Sequence, residues 1–251
     1  MKILATYNIK GGVGKTATAV NLAWVAAQDG YRVLLWDLDP QGAASYYLGM
    51  DNLDHGVLGH SVLEPLFHRR HRLSDVVRRT PHERIDLVPA DFSYRNLDLE
   101  LSDLKRPTKQ FIRLMRPLSD AYDVLIIDSA PSVSLVSANI FNVVDALLVP
   151  IVPTPLAVRA YDHLKRHLKE SQLRGRKVLA FYSMADRRKR LHRELMRKLP
   201  LRYPEIMLSV IPQAAVIERM GTEHAPLGHF APDSPASLAY EALWDEVRRK
   251  A

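Results

Sequence analysis

The first sixteen residues constrain the fold more than any other stretch, because they join an apolar strand to a helix through a glycine-rich turn. They read M-K-I-L-A-T-Y-N-I-K-G-G-V-G-K-T. Ile3–Ala5 is typical of a short buried strand, and an apolar-periodic helix that continues through Ala26 follows the turn. A loop whose successive N–H groups converge on one anion needs backbone angles and a close approach that a Cβ would obstruct. The three glycines, Gly11, Gly12 and Gly14, therefore predict an anion cradle.

The position of this turn at a helix N-terminus indicates which anion it holds. The helix dipole and the unpaired amides of the first turn attract phosphate. Lys15 adds a point charge for the β- and γ-phosphates, and the Thr16 hydroxyl is a ligand for Mg²⁺. The predicted ligand is a nucleoside triphosphate with magnesium.

One position departs from the usual pattern G-x-x-x-x-G-K-[ST], which would place a glycine where this chain has Ile9. An additional lysine, Lys10, opens the glycine run instead, and K-G-G-V-G-K-T resembles the deviant P-loop of the ParA/MinD class of ATPases. The resemblance implies ATP as the nucleotide and catalytic roles for Lys10 and Lys15, with Lys10 reaching across a dimer interface to the partner subunit's nucleotide. It also implies a set of nucleotide-binding residues: Lys10, Gly11, Gly12, Val13, Gly14, Lys15, Thr16 and Ala17.

Two further buried strands end in carboxylates. Tyr31–Asp37 leads into D-L-D-P-Q-G, which by itself would fit an acidic turn that ends a strand. After the P-loop helix it resembles the second signature of the same class, which implies that Asp39 holds or polarises the attacking water, directly or through magnesium. Tyr122–Asp128 places Asp128 at the Walker B position, although the class more often reads D-C-P-P where this chain reads D-S-A-P. The expected Mg²⁺ ligands are Thr16, Asp39 and Asp128.

Strand and helix patterns alternate along the rest of the chain. Further strands are expected at Ile85–Pro89, Asp145–Ile151, Val178–Met184 and Ile206–Ile211, and helices from about Ala157 to Gln172 and over 234–250. This alternation predicts an α/β fold with a mostly parallel central sheet and helices on both faces, in a single domain over residues 1–251. The resemblance implies the SIMIBI type of P-loop NTPase fold. Ligands lie at the carboxyl ends of such strands, so Met184, Asp186, Ile211 and Pro212 are expected around the base.

Two segments are less regular. Residues 43–83 contain glycines typical of a loop, and two short helices are expected over Ser61–Thr80. These helices would carry five arginines, most simply on a solvated face: Arg69, Arg70, Arg72, Arg78 and Arg79. A further helix is expected to begin at Pro107-Thr108, with Thr108 or its neighbour as the N-cap.

Composition limits the classes of function. The chain has 251 residues, of which 47% are hydrophobic, enough for one large core. It has no cysteine, which excludes a disulfide framework and the cluster-binding nitrogenase iron protein branch of the class. No apolar run reaches the roughly 18 residues of a membrane span, so a soluble protein is expected, and the absence of cysteine fits a reducing cytoplasm. The net charge of +7 permits a polyanionic partner.

A strongly basic stretch follows Met184. Leu191, Leu195 and Leu199 recur at helical spacing and predict a buried stripe. Arginines on the opposite side of this helix can follow a phosphate backbone without reading bases, although a solvated helix face is the plain alternative. The expected DNA-binding residues are Arg187, Arg188, Arg190, Arg193 and Arg197, with Arg159, Lys165, Arg166, Lys169, Arg174, Arg176 and Lys177 as additional candidates.

The resemblance to the ParA branch covers nearly the whole chain and implies a cycle. An ATP-bound homodimer binds DNA non-specifically, associates with the nucleoid, and is released when a ParB-like protein or another cargo adaptor stimulates hydrolysis. Three other functions remain open: a MinD-like membrane-positioning ATPase, a P-loop small-molecule enzyme related to dethiobiotin synthetase, and a scaffold relative with negligible hydrolysis. Asp245 and Glu246 in the terminal helix disfavour membrane binding. No residue selects the cargo.

Overall fold

The computed structural model describes residues 1–50, 66–68, 71–170 and 177–251. Its strands are β1 (Lys2–Thr6), β2 (Val33–Asp37), β3 (Arg78–Arg79), β4 (Ile85–Val88), β5 (Val124–Asp128), β6 (Ala146–Ile151), β7 (Lys177–Ala185) and β8 (Ile206–Pro212). They form one sheet in the order β3-β4-β2-β5-β1-β6-β7-β8. All neighbours are parallel except β3, which runs antiparallel to β4. The predicted α/β fold with a mostly parallel sheet is confirmed, and each predicted strand is present within two residues at either end.

Helices cover both faces of this sheet. They are α1 (Lys15–Gln28), α2 (Ala43–Tyr47), α3 (Leu97–Ser102), α4 (Gln110–Met115), α5 (Leu135–Val143), α6 (Pro155–Glu170), α7 (Arg190–Arg202), α8 (Ala215–Glu218), α9 (Met220–Glu223), α10 (Leu227–Phe230) and α11 (Pro235–Lys250). Successive residues of a strand point to opposite faces, and along β2 Val33 and Leu35 join one apolar cluster while Leu34 and Trp36 join another. The first cluster includes α1, α2 and α11, and the second includes α3 to α7.

The register of the central strands brings polar residues together at their carboxyl ends. Every residue of β2 and β5 is buried, as their continuous apolar sequence predicts for a sheet covered on both faces. Asp128, the last residue of β5, is level with Thr6 of β1 on one side and with Asp37 of β2 on the other. Three buried polar side chains therefore lie in a row beside the glycine-rich turn that follows β1.

Of the two short helices predicted over Ser61–Thr80, the structure describes helical residues at Leu66 and Phe67, whereas the second predicted helix is wrong. Arg78 and Arg79 form the short edge strand β3, and Leu73–Val76 is a single 3₁₀ turn. A short helix is costly to nucleate, whereas Arg78 and Arg79 pair with the existing strand β4. Residues 61–65, Arg69 and Arg70 lie outside the described residues.

The predicted cap of the helix near Thr108 is also wrong. A 3₁₀ turn over Pro107–Lys109 precedes α4, and no side chain within this turn caps the helix. Instead, Asn139 of α5 accepts from the N–H groups of Gln110 and Phe111 through Oδ1, at 2.9 and 3.2 Å. The cap comes from a residue distant in sequence, which local patterns do not reveal.

The buried stripe of α7 differs from the predicted one at Leu191. On α7, Leu191 is 47% exposed, and the buried side of the helix is formed by His192, Leu195, Met196 and Leu199. His192 turns inward, where its Nδ1 accepts from the backbone N–H of Asp186 at 3.0 Å, and helical spacing alone cannot reveal this contact.

The terminal helix α11 packs against the sheet edge and against α1. The carboxylate of Glu246 accepts from the backbone N–H groups of Leu208 and Ser209 in β8, both at 3.0 Å. Trp244 donates to Asp29 at the end of α1, at 2.8 Å. Across the described residues, no helix is both long and apolar enough to cross a membrane.

Candidate active site

The glycine-rich turn between β1 and α1 has the backbone of an anion cradle. Gly12 and Gly14 have φ angles of 66° and 90°, a region that favours glycine. Gly14 also has a steric requirement, because a Cβ at this position would lie 2.8 Å from Oγ of Ser183 in β7. Val13, between these glycines, is 1% exposed and anchors the loop in the protein.

Lys15, the first residue of α1, is folded back over this loop. Its ammonium is 3.3 Å from the backbone carbonyl oxygen of Lys10 and donates to it. Burial lowers the pKa of Lys15, while the carboxylates of Asp128 and Asp39 act in the opposite direction. The loop thus encloses its own cation at the position where the sequence predicts the β- and γ-phosphates.

The D-L-D-P-Q-G segment turns sharply after β2 because Asp37 organises it. Oδ2 of Asp37 accepts from both the N–H and the hydroxyl of Ser45, each at 2.8 Å. The other oxygen accepts from the N–H of Asp39 at 3.3 Å. Asp37 is fully buried and acts as a scaffold, whereas Asp39 lies on the wall of the cavity in front of the glycine loop.

Asp128 is buried behind the loop with half of its carboxylate unsatisfied. Oδ1 accepts from the Thr6 hydroxyl at 2.9 Å, while Oδ2 has no hydrogen-bond partner. Burial raises the pKa of Asp128, and the hydroxyl of Thr6 and the ammonium of Lys15 oppose this. A buried unpaired carboxylate oxygen is costly, and hard oxygen ligands of this kind suit Mg²⁺ or a water bound to it. The residues present therefore fit the predicted magnesium site.

A cavity of about 330 Å³ opens over the glycine loop. Its walls include most of the predicted nucleotide-binding residues and several others: Gly11, Gly12, Val13, Gly14, Lys15, Thr16, Ala17, Asp39, Tyr47, Pro131, Ser183, Met184, Ile211, Pro212, Gln213, Ala214, Ile217, Glu218 and Tyr240. Met184, Ile211 and Pro212 thus lie on the same cavity as the P-loop. Met184 has a φ of 51°, an unusual conformation for a residue other than glycine.

The expected base-pocket residue Asp186 does not line this cavity. Its carboxylate binds the guanidinium of Arg188 at 3.0 Å and faces a neighbouring depression. The chain turns outward after Ala185, which carries Asp186 away from the cavity. Sequence reasoning missed Tyr47, Gln213, Glu218 and Tyr240, which come from α2, the position after β8, α8 and α11 and carry no motif.

The basic helix α7 presents fewer independent cations than the sequence suggests. Arg190 is paired with Glu194 at 2.7 Å. Arg193 donates to the backbone carbonyls of Arg187 and Arg188 at 2.8 and 3.1 Å, which ties the start of the helix to the preceding turn. Arg197 is exposed. Three of the five predicted DNA-binding arginines, Arg188, Arg190 and Arg193, thus already have partners.

Among the additional basic candidates, the structure gives partners to two. Lys165 forms an ion pair with Glu205 at 2.6 Å, and Lys177 donates to the carbonyl of Ala251 at 2.9 Å. Arg174 and Arg176 lie outside the described residues.

The fold and the site together define a P-loop ATPase of the ParA/MinD class. The strand, the deviant glycine loop and the two acid-bearing strand ends converge on one cavity, as that class requires. A family described as "AAA domain" matches residues 1–181, and the chain belongs to this family.

Its relatives include two proteins named Soj. The chain is 26% identical to the chromosome-partitioning ATPase Soj of Treponema pallidum, over 98% of this chain and 96% of that protein. It is 28% identical to the sporulation initiation inhibitor protein Soj of Bacillus subtilis, over 98% of each.

Solved structures with the same fold span more than one activity. Cobyrinic acid a,c-diamide synthase from Mycobacterium smegmatis, with bound ADP and magnesium, has a TM-score of 0.80 and 27% identity, covering 99% of this chain and 94% of that one. A plasmid partition protein from Borrelia burgdorferi has a TM-score of 0.80 at 19% identity, covering 100% and 99%, which supports the fold alone.

Proposed function

We propose that this protein is a ParA-type ATPase that hydrolyses ATP to ADP and phosphate with Mg²⁺, as a homodimer formed around two nucleotides. The observation that carries the proposal is Lys10, an additional lysine at the start of the glycine loop, in a chain whose relatives include the chromosome-partitioning ATPase Soj of Treponema pallidum. The whole chain, residues 1–251, acts as one such ATPase domain, in the cytoplasm and associated with the nucleoid.

Each residue of the site has a role in this reaction. The amides of Gly11 to Thr16 and the ammonium of Lys15 bind the triphosphate. Thr16 and Asp128 would hold Mg²⁺, which neutralises charge on the phosphate oxygens when it is bound. Asp39, at the cavity wall, orients the attacking water. Lys10 of the partner subunit stabilises the charge of the transition state, a role like that of an arginine finger.

Because Lys10 is supplied by the partner subunit, ATP hydrolysis acts as a switch for dimer formation. Since each site is complete only in the dimer, the triphosphate favours association and its hydrolysis weakens the interface. The dimer binds duplex DNA without sequence preference through the phosphate backbone, with α7 as the proposed contact. A ParB-like or other cargo-adaptor protein stimulates hydrolysis and releases the dimer, so that a chromosome, plasmid or other cargo is segregated or positioned.

The test is retention of an arbitrary duplex with ATP–Mg, with ADP–Mg and without nucleotide, for the wild type and Lys10→Ala. We expect retention with ATP only in the wild type, and nucleotide binding within about threefold of wild type in the variant. Equal retention in all three nucleotide states would contradict the nucleotide-dependent switch.

A second candidate is an ATP-dependent small-molecule enzyme, since one structural neighbour at 27% identity is a diamide synthase. Such an enzyme needs a pocket for the acceptor beside the γ-phosphate. ATP turnover that requires an added carboxylic acid acceptor, without duplex binding, would favour this function.

A further inference from the structure

Asn8 lies two residues before Lys10 and is 1% exposed, although no motif in the sequence singles it out. Both ends of its side-chain amide are used. Nδ2 donates to the backbone carbonyl of Pro150 in β6 at 2.9 Å. Oδ1 accepts from the backbone N–H of Lys10 at 3.0 Å. Asn8 therefore joins the glycine loop to the end of a central strand.

The link to β6 replaces a bond of the parallel ladder. The N–H of Tyr7 donates to the carbonyl of Leu148, continuing the pairing of β1 with β6. In a regular parallel ladder the N–H of Ile9 would reach the carbonyl of Pro150 next. The side chain of Asn8 takes that acceptor instead, so the main chain is free to leave the sheet and enter the glycine loop.

The peptide groups of Lys10 are held from two sides. Asn8 holds its N–H, and the ammonium of Lys15 holds its carbonyl oxygen at 3.3 Å. In the proposed function Lys15 binds the phosphates of the bound nucleotide. When its ammonium turns to the phosphates, the carbonyl of Lys10 loses that partner and the bond from Asn8 remains.

We propose that Asn8 is a positioning residue that fixes the direction in which Lys10 leaves its subunit toward the partner subunit's nucleotide. This inference rests on the proposed function. Asn8 does not touch the nucleotide, and it acts by setting the backbone from which the Lys10 side chain extends. A long flexible side chain needs such a fixed origin, since a displacement of about 1 Å can cost about 100-fold in rate.

The test is a double-mutant cycle of Asn8→Ala, Lys10→Ala and the double variant, with kcat, KM and nucleotide affinity measured for each. We expect Asn8→Ala to lower kcat by about 100-fold and Lys10→Ala by about 1000-fold. If Asn8 acts through Lys10, the double variant has the kcat of Lys10→Ala alone. Affinity for a fluorescent ATP analogue stays within about threefold throughout.

Two further variants separate positioning from general support of the fold. Asn8→Asp keeps the acceptor for the N–H of Lys10 but places an oxygen against the carbonyl of Pro150. We therefore expect it to show most of the decrease in kcat seen in Asn8→Ala. Asn8→Ser keeps a short acceptor for the Lys10 N–H and restores part of the rate. Asn139→Ala removes another fully buried asparagine, the cap of α4, and should lower stability without changing kcat.

The outcomes distinguish the inference from the proposed function. If the decreases in kcat caused by Asn8→Ala and by Lys10→Ala multiply in the double variant, the positioning role is overturned. A change in KM without a change in kcat for Asn8→Ala would overturn it as well. A kcat that Lys10→Ala leaves unchanged would instead contradict the proposed function itself.

Discussion

Short stretches of sequence predict both the basic helix α7 and the nucleotide edge, by which we mean the glycine loop with Lys15 and the strand ends that carry Asp39 and Asp128. The structure supports these two regions differently. At the nucleotide edge, Lys15 and Asp128 are buried and each is held by named contacts. On α7 the arginines are exposed, and Arg190 is paired with a glutamate of its own helix. A motif that requires a particular backbone geometry also determines where its side chains lie. A run of charged residues determines only the local charge, and not the positions or partners of its side chains.

This difference predicts unequal consequences of mutation. At the edge, single substitutions remove a group that no neighbour replaces. On α7, neighbouring cations share one role and part of their charge is neutralised locally, so single substitutions should have small effects. The following predictions test this contrast.

The largest effect is expected for Lys15→Ala. Its ammonium is the buried cation of the loop, and charge-assisted bonds to two phosphates are lost together. We expect affinity for a fluorescent ATP analogue to fall by about 1000-fold. Lys198→Ala on α7 is the matched control and should bind as the wild type does. Similar nucleotide affinities for Lys15→Ala and Lys198→Ala would contradict the difference proposed between the nucleotide edge and α7.

Asp39→Asn should affect turnover and leave binding intact. The amide keeps the size of the side chain but loses the charge that orients water, so kcat is expected to fall by about 100-fold with little change in nucleotide affinity. Single-turnover hydrolysis of ATP–Mg measures this directly. A rate of hydrolysis equal to that of the wild type would mean that another residue orients the attacking water.

On α7, the combined variant Arg190→Gln, Arg193→Gln and Arg197→Gln should weaken binding to arbitrary duplex. The slope of log K against log salt would decrease by at most about 2.7, or 0.9 per lost phosphate contact. The control removes three exposed arginines elsewhere, Arg32, Arg84 and Arg248, by the same change. Equal slopes for both variants would mean that net charge, and not α7, binds DNA.

Glu194→Gln tests whether the ion pair on α7 reduces the contribution of Arg190 to DNA binding. It releases Arg190 from an exposed ion pair, and such pairs contribute about 1 kcal/mol or less. Duplex affinity at low salt should rise by about two- to threefold. A decrease in affinity would indicate that the pair positions Arg190 for DNA.

The smallest effect concerns the pH response of α7. Nδ1 of the buried His192 accepts from the N–H of Asp186 at 3.0 Å, which requires a neutral ring. Burial lowers the pKa of His192, Lys189 lowers it further and Asp186 raises it. Because the folded pKa is below the unfolded value, this stabilisation is present above about pH 6.5 and is lost as pH falls through the folded pKa.

Hydrogen exchange of α7 amides at pH 7.5 and 5, corrected for intrinsic rates, measures this change. Protection of α7 should fall at pH 5, and His192→Asn, which keeps an acceptor without a titrating group, should abolish the difference. An identical fall in the variant would place the pH response in another group.

The sequence predicted the fold and the glycine loop because both depend on local chemistry. Continuous apolar runs such as Val33–Leu35 indicate strands covered on both faces, and positions such as Gly14 accept little else. It did not predict contacts that arise only when distant elements meet. Asn139 capping α4 and Asn8 reaching Pro150 are of this kind.

Errors in the helices had a different origin. Leu191 and His192 are adjacent, and helical spacing allows either to face the core. The packing of α7 against the sheet buries His192 and leaves Leu191 exposed, although leucine is the more apolar residue. Likewise, the local turn after β7 decides that Asp186 binds Arg188 and not the cavity.

The account depends most on Lys10 acting across a dimer interface, and subunit mixing tests this directly. Lys10→Ala and Asp39→Ala are each expected to be inactive alone. In a mixed dimer one site combines an intact Asp39 with the partner's Lys10, so mixing equal amounts should restore about one quarter of the wild-type rate. If Lys10 acts within its own subunit, neither site of the mixed dimer is complete, and no activity above that of the separate variants would appear.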